Sequence, residues 1–282
     1  MSVAKTTDEV RQEGLDRFYT VPSMAEHCID VVGQHSRWGE WDLIVEPSAG
    51  NGSFSLRLPR HCVAMDLSPE HPSILRQDFF SYTPPEGSGQ VLVIGNPPFG
   101  RVSSMAIKFF QHAAQWATVI AFILPRTFRR VSVQNRLPLC FHLEHDEDIP
   151  MDPCSFEPPM KAKCCFQIWR RRDTLRPLVP LPTTHADWEF VAFGPNDEQG
   201  QPTPPRDVDF ALRAYGGQCG QIVEENLGEL RPKSWHWIRA RIDKQTLMER
   251  FRSLDYSLSV DTARQNSIGR GELVRLYSES FH

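Results

Sequence analysis

The sequence predicts an α/β fold built around a doubly wound, mostly parallel sheet, and two observations lead to that prediction. Short, largely apolar runs rich in β-branched residues recur at 42–48, 62–68, 91–99 and 118–125. Such runs are typical of parallel strands that are buried on both faces. Stretches of helical character lie between them, and strands that alternate with helices favour right-handed crossovers within one sheet.

Three further stretches are expected to be helices: 24–35, 52–58 and 104–117. In the last of these, Ile107, Phe110 and Ala114 repeat at the spacing of one helix face. Two later strands, at 140–149 and 162–170, are separated only by a proline-containing loop. So short a connection favours an antiparallel hairpin at one edge of the sheet.

Composition changes along the chain and indicates its organisation. Of the 23 prolines, many lie between Pro150 and Pro205. We therefore expect one large α/β domain over 1–175, a proline-rich linker over 176–206 and a smaller segment over 207–282. The chain of 282 residues is long enough for this arrangement.

Charge and cysteine content narrow the class of protein. The formal net charge is −4, so the chain is not basic overall, although a local cleft can still bind a polyanion. The 7 cysteines show no paired CxxC spacing, which predicts free thiols in a reducing cytoplasm, with neither a disulfide framework nor a zinc site. The polar N-terminus lacks the apolar core of a signal peptide, and no run is long enough for a membrane span.

A glycine-containing turn follows the first predicted strand, in "VEPSAGNGSFS" at 45–55. Glycines allow the backbone to approach a ligand closely, and the turn lies at the carboxyl edge, where open α/β sheets bind ligands. Glu46 would repel a pyrophosphate but suits a ligand that carries an ammonium group. The alternative is a tight turn without a ligand. Asp66 and Asp78 end the next two predicted segments, as ribose acceptors or as ordinary turn acids.

The strand at 91–95 ends in Asn96-Pro97-Pro98-Phe99. A planar exocyclic amine, such as N6 of adenine, is a poor nucleophile because its lone pair is delocalised into the ring. The Asn96 side-chain oxygen and the Pro97 carbonyl are two acceptors that could bind its N–H groups and draw the nitrogen toward tetrahedral geometry. The prolines hold that carbonyl stiffly, and the ring of Phe99 offers a face on which a base can stack.

With these motifs, the chain resembles the S-adenosylmethionine-dependent amino-methyltransferases, particularly the adenine-N6 group with an NPPF motif. The resemblance covers roughly residues 15–170, in the order of the gamma arrangement. Its blocks are "RFYTVPSMAEHC" (17–28), "EPSAGNG" (46–52), Asp66, "QDFF" (77–80), "NPPF" (96–99), "FILPRTFRR" (122–130) and "SFEPPMKAKCCFQIW" (155–169). In the first block Val21 separates Thr20 from Pro22, where the family pattern has proline directly after threonine.

The resemblance implies a Rossmann-like methyltransferase, with a mostly parallel seven-stranded sheet ending in an antiparallel hairpin, and S-adenosylmethionine as cofactor. The residues implied to bind the cofactor are Phe18, Tyr19, Thr20, Pro22, Glu46, Ser48, Gly50, Gly52, Asp66, Asp78 and Phe79. Asn96, Pro97, Pro98 and Phe99 would hold the target amine. Phe156 is expected either to sandwich an extruded base or to pack in the hairpin. No metal is expected, because methyl transfer from a sulfonium needs none.

The predicted reaction is methylation of adenine N6 in DNA, with nucleic acid as the partner. The alternatives are adenine in RNA, glutamine N5 in a protein, and a fold retained for binding alone. Phosphate contacts are expected from Arg126, Arg129, Arg130 and Arg136, which follow a strand end. In "KSWHWIRAR" (233–241), basic residues among Trp235, His236 and Trp237 could contact nucleic acid. The alternative is that these tryptophans form the core of a small subdomain.

Overall fold

The structure is a computed structural model of the chain, and it describes residues 17–58 and 62–281. The chain divides into two compact units, Met1–Leu178 and Val179–His282. The predicted linker at 176–206 spans this division, and most of it lies in the second unit, where it contains a short strand at Trp188–Phe190.

The described residues of the first unit form nine strands. They are β1 (Tyr19–Thr20), β2 (Leu43–Glu46), β3 (Cys62–Asp66), β4 (Leu75–Arg76), β5 (Val91–Gly95), β6 (Val119–Pro125), β7 (Phe141–Ile149), β8 (Phe156–Glu157) and β9 (Cys164–Arg171). Seven of them form one sheet in the order β4-β3-β2-β5-β6-β9-β7. The pairs from β4 to β6 are parallel, whereas β9 is antiparallel to β6 and β7. The predicted fold class, an α/β fold with a mostly parallel seven-stranded sheet that ends in an antiparallel hairpin, is confirmed.

The central strands explain why the sequence runs are continuously apolar. Every residue of β5 and β6 is buried. Val91 and Val93 pack into one apolar cluster, and Leu92 and Ile94 pack into another. Because successive side chains of a strand point to opposite faces, both faces of the sheet carry a hydrophobic core.

Helices cover these two faces. The first unit contains α1 (Pro22–His35), α2 (Ser104–Ala113) and the short α3 (Val131–Gln134). Pro22 occupies the first turn of α1, where a missing N–H costs no helical hydrogen bond. Single 3₁₀ turns lie at Trp38–Glu40, Phe79–Ser81, Arg101–Ser103 and Arg126–Arg129.

The predicted helix at 52–58 is wrong. Over 50–57 the backbone forms consecutive turns, although two bonds of helical span occur, from Leu56 N–H to the Gly52 carbonyl and from Leu58 N–H to the Phe54 carbonyl. Gly50 and Gly52 have φ of 53° and 88°, outside the helical range. The apolar spacing suggested a helix, but the positive φ angles shape its start as a loop.

A two-stranded sheet joins the N-terminal segment to the hairpin loop. Strand β1 is antiparallel to β8, with Thr20 opposite Phe156, and the Val21 N–H donates to the Ser155 carbonyl at 3.0 Å. The loop between β7 and β9 is therefore more than a connection, because it fixes the segment that precedes α1.

The second unit is an antiparallel sheet with two helices. Its strands are β10 (Trp188–Phe190), β11 (Phe210–Arg213), β12 (Ile222–Val223) and β13 (Trp235–Ala240), in the order β10-β13-β11-β12. Helices α4 (Lys244–Ser253) and α5 (Arg270–Ser280) complete it, with 3₁₀ turns at Leu227–Glu229, Pro232–Ser234 and Ser257–Val260. None of the helices in the described ranges is long and apolar enough to cross a membrane.

The tryptophans of this unit belong to its core. Trp235 and Trp237 are 6% and 1% exposed and lie in one apolar cluster. The His236 Nε2 lies 2.8 Å from the Ile268 carbonyl, and burial lowers the pKa of this imidazole to about 4. Of the two interpretations of "KSWHWIRAR", the structure favours the core, because strand alternation turns these large rings inward.

Candidate active site

Three parallel neighbours bring their carboxyl ends to one edge of the sheet. Glu46 ends β2, Asp66 ends β3, and Asn96 follows directly after β5. Strand β2 lies between the other two, so residues far apart in sequence meet at this edge. This is the edge where open α/β sheets bind their ligands.

A narrow cleft with a cavity volume of about 20 Å³ opens at this edge. It is lined by Phe18, Tyr19, Thr20, Glu46, Ser48, Ala49, Asn51, Ser53, Phe54 and Asn96. Six of these residues were predicted as site residues. Ala49 and Asn51 belong to the 48–52 loop that the resemblance implies for the amino acid part of the cofactor, whereas Ser53 and Phe54, which follow that loop, were not predicted. This cavity is far smaller than a typical ligand pocket, which takes about 300–1,000 Å³.

Glu46 is a buried carboxyl at the base of this cleft. Its side chain is 2% exposed, and its Oε2 atom has no hydrogen-bond partner among the described residues. Burial raises the pKa of the Glu46 carboxyl to about 8, and the negative charge of Asp66 adds to the shift. A buried acid with an unused oxygen is costly, because a desolvated polar atom has lost its hydrogen bonds to water. A cationic ligand would repay that cost.

Thr20 supplies a second unsatisfied atom to the same cleft. Its side chain is 3% exposed, and within the described ranges its Oγ1 has no partner. The pairing of β1 with β8 holds Thr20 in place across from Phe156. Buried polar atoms in folded proteins nearly always have a partner. Two orphaned atoms that line one cleft therefore indicate a polar ligand there.

Asn96 is held from both sides. Its Nδ2 donates to the Phe18 carbonyl at 3.1 Å, and its own carbonyl accepts from the Ser48 hydroxyl at 3.1 Å. Because the Phe18 carbonyl can only accept a hydrogen bond, its contact with Asn96 identifies the nitrogen end of the side-chain amide. The Oδ1 atom is consequently the end that remains available as an acceptor.

The three residues after Asn96 bend the chain away from the sheet. Pro97 is buried, whereas Pro98 and Phe99 are half-buried. Phe99 packs against the apolar clusters on both faces of the sheet. Its carbonyl accepts from the N–H groups of Met105 and Ala106, at 3.1 and 3.3 Å, which ties this residue to the start of α2. The tetrapeptide is thus a rigid corner with part of one aromatic ring exposed.

The glycine-containing turn is fixed by Asp66. One carboxylate oxygen accepts from the Gly50 N–H at 2.9 Å, and the other accepts from the Ser68 N–H at 2.8 Å. Asp66 therefore acts as a turn acid, and each oxygen keeps a lone pair for a further donor. Its predicted contact with ribose stays a prediction.

The ring of Tyr19 lies on the same turn. A Cβ added to Gly50 would be 2.6 Å from the Tyr19 Cε1 atom, so only glycine permits this close approach. The Tyr19 hydroxyl donates to Glu70, and the Glu70 N–H donates to the Gly50 carbonyl at 2.9 Å. Tyr19 thus spans the turn and links the ends of β1 and β3.

In the predicted block "QDFF" (77–80), the side chains are oriented differently from the expectation. Asp78 is exposed and accepts from the Phe80 N–H at 3.0 Å. Phe79 is 2% exposed and stacks on Phe109 with centroids 5.1 Å apart, so its ring belongs to the core. Phe80, the residue that the sequence did not single out, is the exposed ring at 40%. A 3₁₀ turn over Phe79–Ser81 places the Phe79 ring in the core and the Phe80 ring at the surface.

The predicted substrate residues are engaged within the fold. Arg129 makes short contacts with Asp146 at 2.7 Å and Asp148 at 2.7 Å, and Arg126 pairs with Asp148 at 2.6 Å. Arg130 also has a partner. Phe156 is 3% exposed and lies in the apolar cluster against which Phe18 and Phe99 pack. Contacts of these four residues with a substrate remain predictions, and Phe156 presents no open ring face.

Two positions in the cofactor prediction support the cleft without lining it. Pro22 begins α1, and Gly52, with φ of 88°, shapes the turn. Ser55 lies beside Glu46, where hydrogen bonds from its hydroxyl and its N–H favour the ionised carboxyl and oppose the rise of its pKa; the sequence did not single out this residue. Across residues 17–58 and 62–281, no group of three or more His, Cys, Asp or Glu side chains is arranged to hold a metal ion.

Comparison with known proteins gives a likeness of fold only. No protein-family model matches the chain, and no curated protein matches it. Among solved structures it is similar to the 23S rRNA methyltransferase ErmE, at 17% identity, over 57% of this chain and 72% of that chain, with a TM-score of 0.41. A Thermoplasma acidophilum protein, 1320, is 14% identical over 54% and 90% of the two chains, with a TM-score of 0.37. The N-methyltransferase NodS from Bradyrhizobium japonicum WM9 is 10% identical over 54% and 96%, with a TM-score of 0.36.

Proposed function

We propose that this chain transfers a methyl group from S-adenosylmethionine to the N6 amine of adenine in DNA. One observation carries the proposal: two buried, unpartnered polar atoms, Glu46 Oε2 and Thr20 Oγ1, line the cleft that Asn96 also lines. The cleft thus combines sites for a polar, cationic ligand with an oriented amide oxygen. The NPPF tetrapeptide and the order of the sequence blocks support the same reaction.

The residues of the cleft fit the amino acid end of S-adenosylmethionine. Glu46, ionised on binding, would accept from the ammonium group, and the Thr20 hydroxyl would donate to the carboxylate. The adenosine end would extend beyond the narrow cleft toward Asp66 and the exposed ring of Phe80. Tyr19, which lies over Gly50, would border that path. When bound, this cofactor supplies an electrophilic methyl group on a positively charged sulfur.

The tetrapeptide would bind and activate the acceptor amine. Asn96 Oδ1 would accept one N–H of the exocyclic amine, and the Pro97 carbonyl would accept the other. Two acceptors on one nitrogen draw it toward tetrahedral geometry and free its lone pair for attack. No charged base is needed at the amine, because its proton leaves after the nitrogen has become cationic. The acceleration would come mostly from proximity and orientation.

The anchoring of Asn96 supports this role for its oxygen. An asparagine amide that was free to rotate would present its nitrogen about as often as its oxygen. The contact from Nδ2 to the Phe18 carbonyl removes that ambiguity before a substrate arrives. Such preorganisation is the usual source of strong electrostatic stabilisation in an active site.

The test compares cells that express the wild-type protein with cells that express Asn96→Ala. Their DNA and RNA are digested separately, and N6-methyladenine is measured in each pool by mass spectrometry. We expect the modified base in DNA from the wild type and none above background from the variant. Asn196→Ala, the same change at an exposed position of the second unit, should behave as the wild type.

The outcomes separate the alternatives. Methylation confined to RNA would replace DNA by RNA as substrate while leaving the chemistry intact. Methylated glutamine in protein, without a modified base, would assign the reaction to a different substrate class. Full activity of Asn96→Ala would refute the proposed role of the amide.

A further inference from the structure

Two of the arginines that follow β6 already have acidic partners within the fold. Arg126 and Arg129 form ion pairs with Asp146 and Asp148 on strand β7. A phosphate would have to compete with carboxylates that are already in contact. The cation that contacts a substrate beside the tetrapeptide should therefore be sought elsewhere.

The loop directly after the tetrapeptide, residues 100–104, has an unusual backbone. Gly100, Val102 and Ser103 have φ of 67°, 52° and 60°. A positive φ is ordinary for glycine, but for a β-branched residue such as Val102 it is a rare and strained conformation. Such a conformation is unfavourable and persists only where the surrounding structure imposes it.

The surroundings do impose it. The carbonyl of Phe99 accepts from the N–H groups of Met105 and Ala106, which closes the loop at its base. The Ser103 side chain is buried, and its hydroxyl lies 2.6 Å from that of Thr127. The loop is therefore held at both ends, and its middle is forced outward.

Two side chains occupy the outward tip. Val102 is 79% exposed, so burial of its apolar side chain does not offset the backbone strain. Arg101 is also exposed, and within the described residues its guanidinium makes no hydrogen bond or ion pair. The tip thus presents an uncompensated cation and an apolar group two and three residues after Phe99.

We propose that Arg101 and Val102 form the nucleic-acid contact beside the reacting base. Arg101 binds a backbone phosphate, and Val102 packs against the base next to the adenine that enters the site. The inference rests on the proposed function for the identity of the polymer. It adds specific contacts that hold the strand while one base lies on Phe99. Backbone contacts of this kind position a strand, and an apolar side chain can occupy the space that an extruded base leaves.

The first test measures binding alone. Fluorescein-labelled DNA oligonucleotides that contain adenine, single-stranded and duplex, are titrated with protein at several salt concentrations, and anisotropy gives the affinity. We expect Arg101→Gln to weaken binding about 3- to 10-fold and to reduce the salt slope by about 1, as for one lost phosphate contact. Arg37→Gln is the matched control, because Arg37 is an exposed arginine that precedes β2, at the opposite edge of the sheet.

The second test separates strain from contact at Val102. Val102→Gly removes the side chain and relieves the positive φ, so the melting temperature should rise by about 2–4 °C. Val102→Asn keeps a side chain that tolerates this conformation but is polar. Both variants should bind the oligonucleotides several-fold more weakly than the wild type. Weaker binding by a protein that melts higher would not result from damage to the fold.

Each result supports or overturns the inference. Unchanged affinity and salt slope in Arg101→Gln would overturn the phosphate contact. A higher melting temperature with unchanged affinity in Val102→Gly would overturn the contact of Val102. Absence of any oligonucleotide binding by the wild type, or binding of an RNA oligonucleotide alone, would overturn the inference for DNA. If the variants lose affinity but the wild type methylates no adenine, the proposed reaction fails while the contact stands.

Discussion

Glu46 offers the most direct quantitative test of the site, through the dependence of stability on pH. The pKa of its carboxyl is raised from 4.5 to about 8 by burial. The folded state therefore keeps the proton up to about pH 8, whereas the unfolded chain releases it near pH 4.5. At about 1.4 kcal/mol for each pH unit, the raised pKa corresponds to about 5 kcal/mol.

The sign follows from proton binding. Between pH 4.5 and 8 the folded state binds more protons at this position than the unfolded state, so stability falls as the pH rises. The contribution is fully present below pH 4.5 and is lost as the pH passes 8. Glutamine has nearly the same shape and does not titrate. Glu46→Gln should therefore gain up to about 4 kcal/mol relative to the wild type between pH 5 and pH 8.

The assay is urea denaturation of the two proteins at pH 5, 6, 7 and 8, without ligand. The difference in the free energy of unfolding cancels every titrating group that the proteins share. Glu40→Gln, the same change at an exposed position, should follow the wild type at all four values. Parallel profiles for the wild type and Glu46→Gln would refute the argument, because Glu46 would then ionise normally in the folded protein.

Two further predictions concern the cofactor cleft. At pH 7 the Glu46 carboxyl of the free protein is mostly neutral, and an ammonium group favours its ionised form, so binding of S-adenosylmethionine should release about one proton per ligand. Calorimetry in buffers of different ionisation enthalpy measures this release, and equal apparent binding enthalpies in those buffers would contradict it. Gly50→Ala places a Cβ 2.6 Å from the Tyr19 ring at φ of 53° and should destabilise the protein by about 1–3 kcal/mol and weaken cofactor binding. Gly39→Ala, where a Cβ would meet nothing within 4 Å, is the control, and equal melting temperatures for the two variants would contradict the steric argument.

The sheet and its ligand edge could be predicted because their signals are local. Strands buried on both faces must be continuously apolar, and β2, β5 and β6 stand out in the sequence for that reason. A polar residue directly after such a strand, such as Asn96, is carried to the carboxyl edge whatever the rest of the chain does. The sequence therefore indicates which residues lie together at the carboxyl edge of the sheet.

Other features depend on partners that are distant in sequence. The two-residue strands β1 and β8 have no periodicity of their own, and Tyr19 pairs with Glu157. The sequence places Arg126 and Arg129 after a strand end, but it does not show that Asp148 and Asp146 on β7 form ion pairs with them. A single 3₁₀ turn determines that Phe79 is buried and Phe80 exposed, and composition does not reveal that turn. In each case the deciding contact is tertiary.

The N-terminal strand links the two halves of the proposed chemistry. Thr20 places an unpartnered hydroxyl in the cleft, and two residues earlier the Phe18 carbonyl orients the Asn96 amide. Both depend on the pairing of β1 with β8, which anchors this segment to the hairpin loop. A ligand that satisfies Thr20 and Glu46 would stabilise the segment that fixes the amide oxygen. Occupation of the cofactor cleft and orientation of the acceptor for the amine are therefore coupled through one short strand.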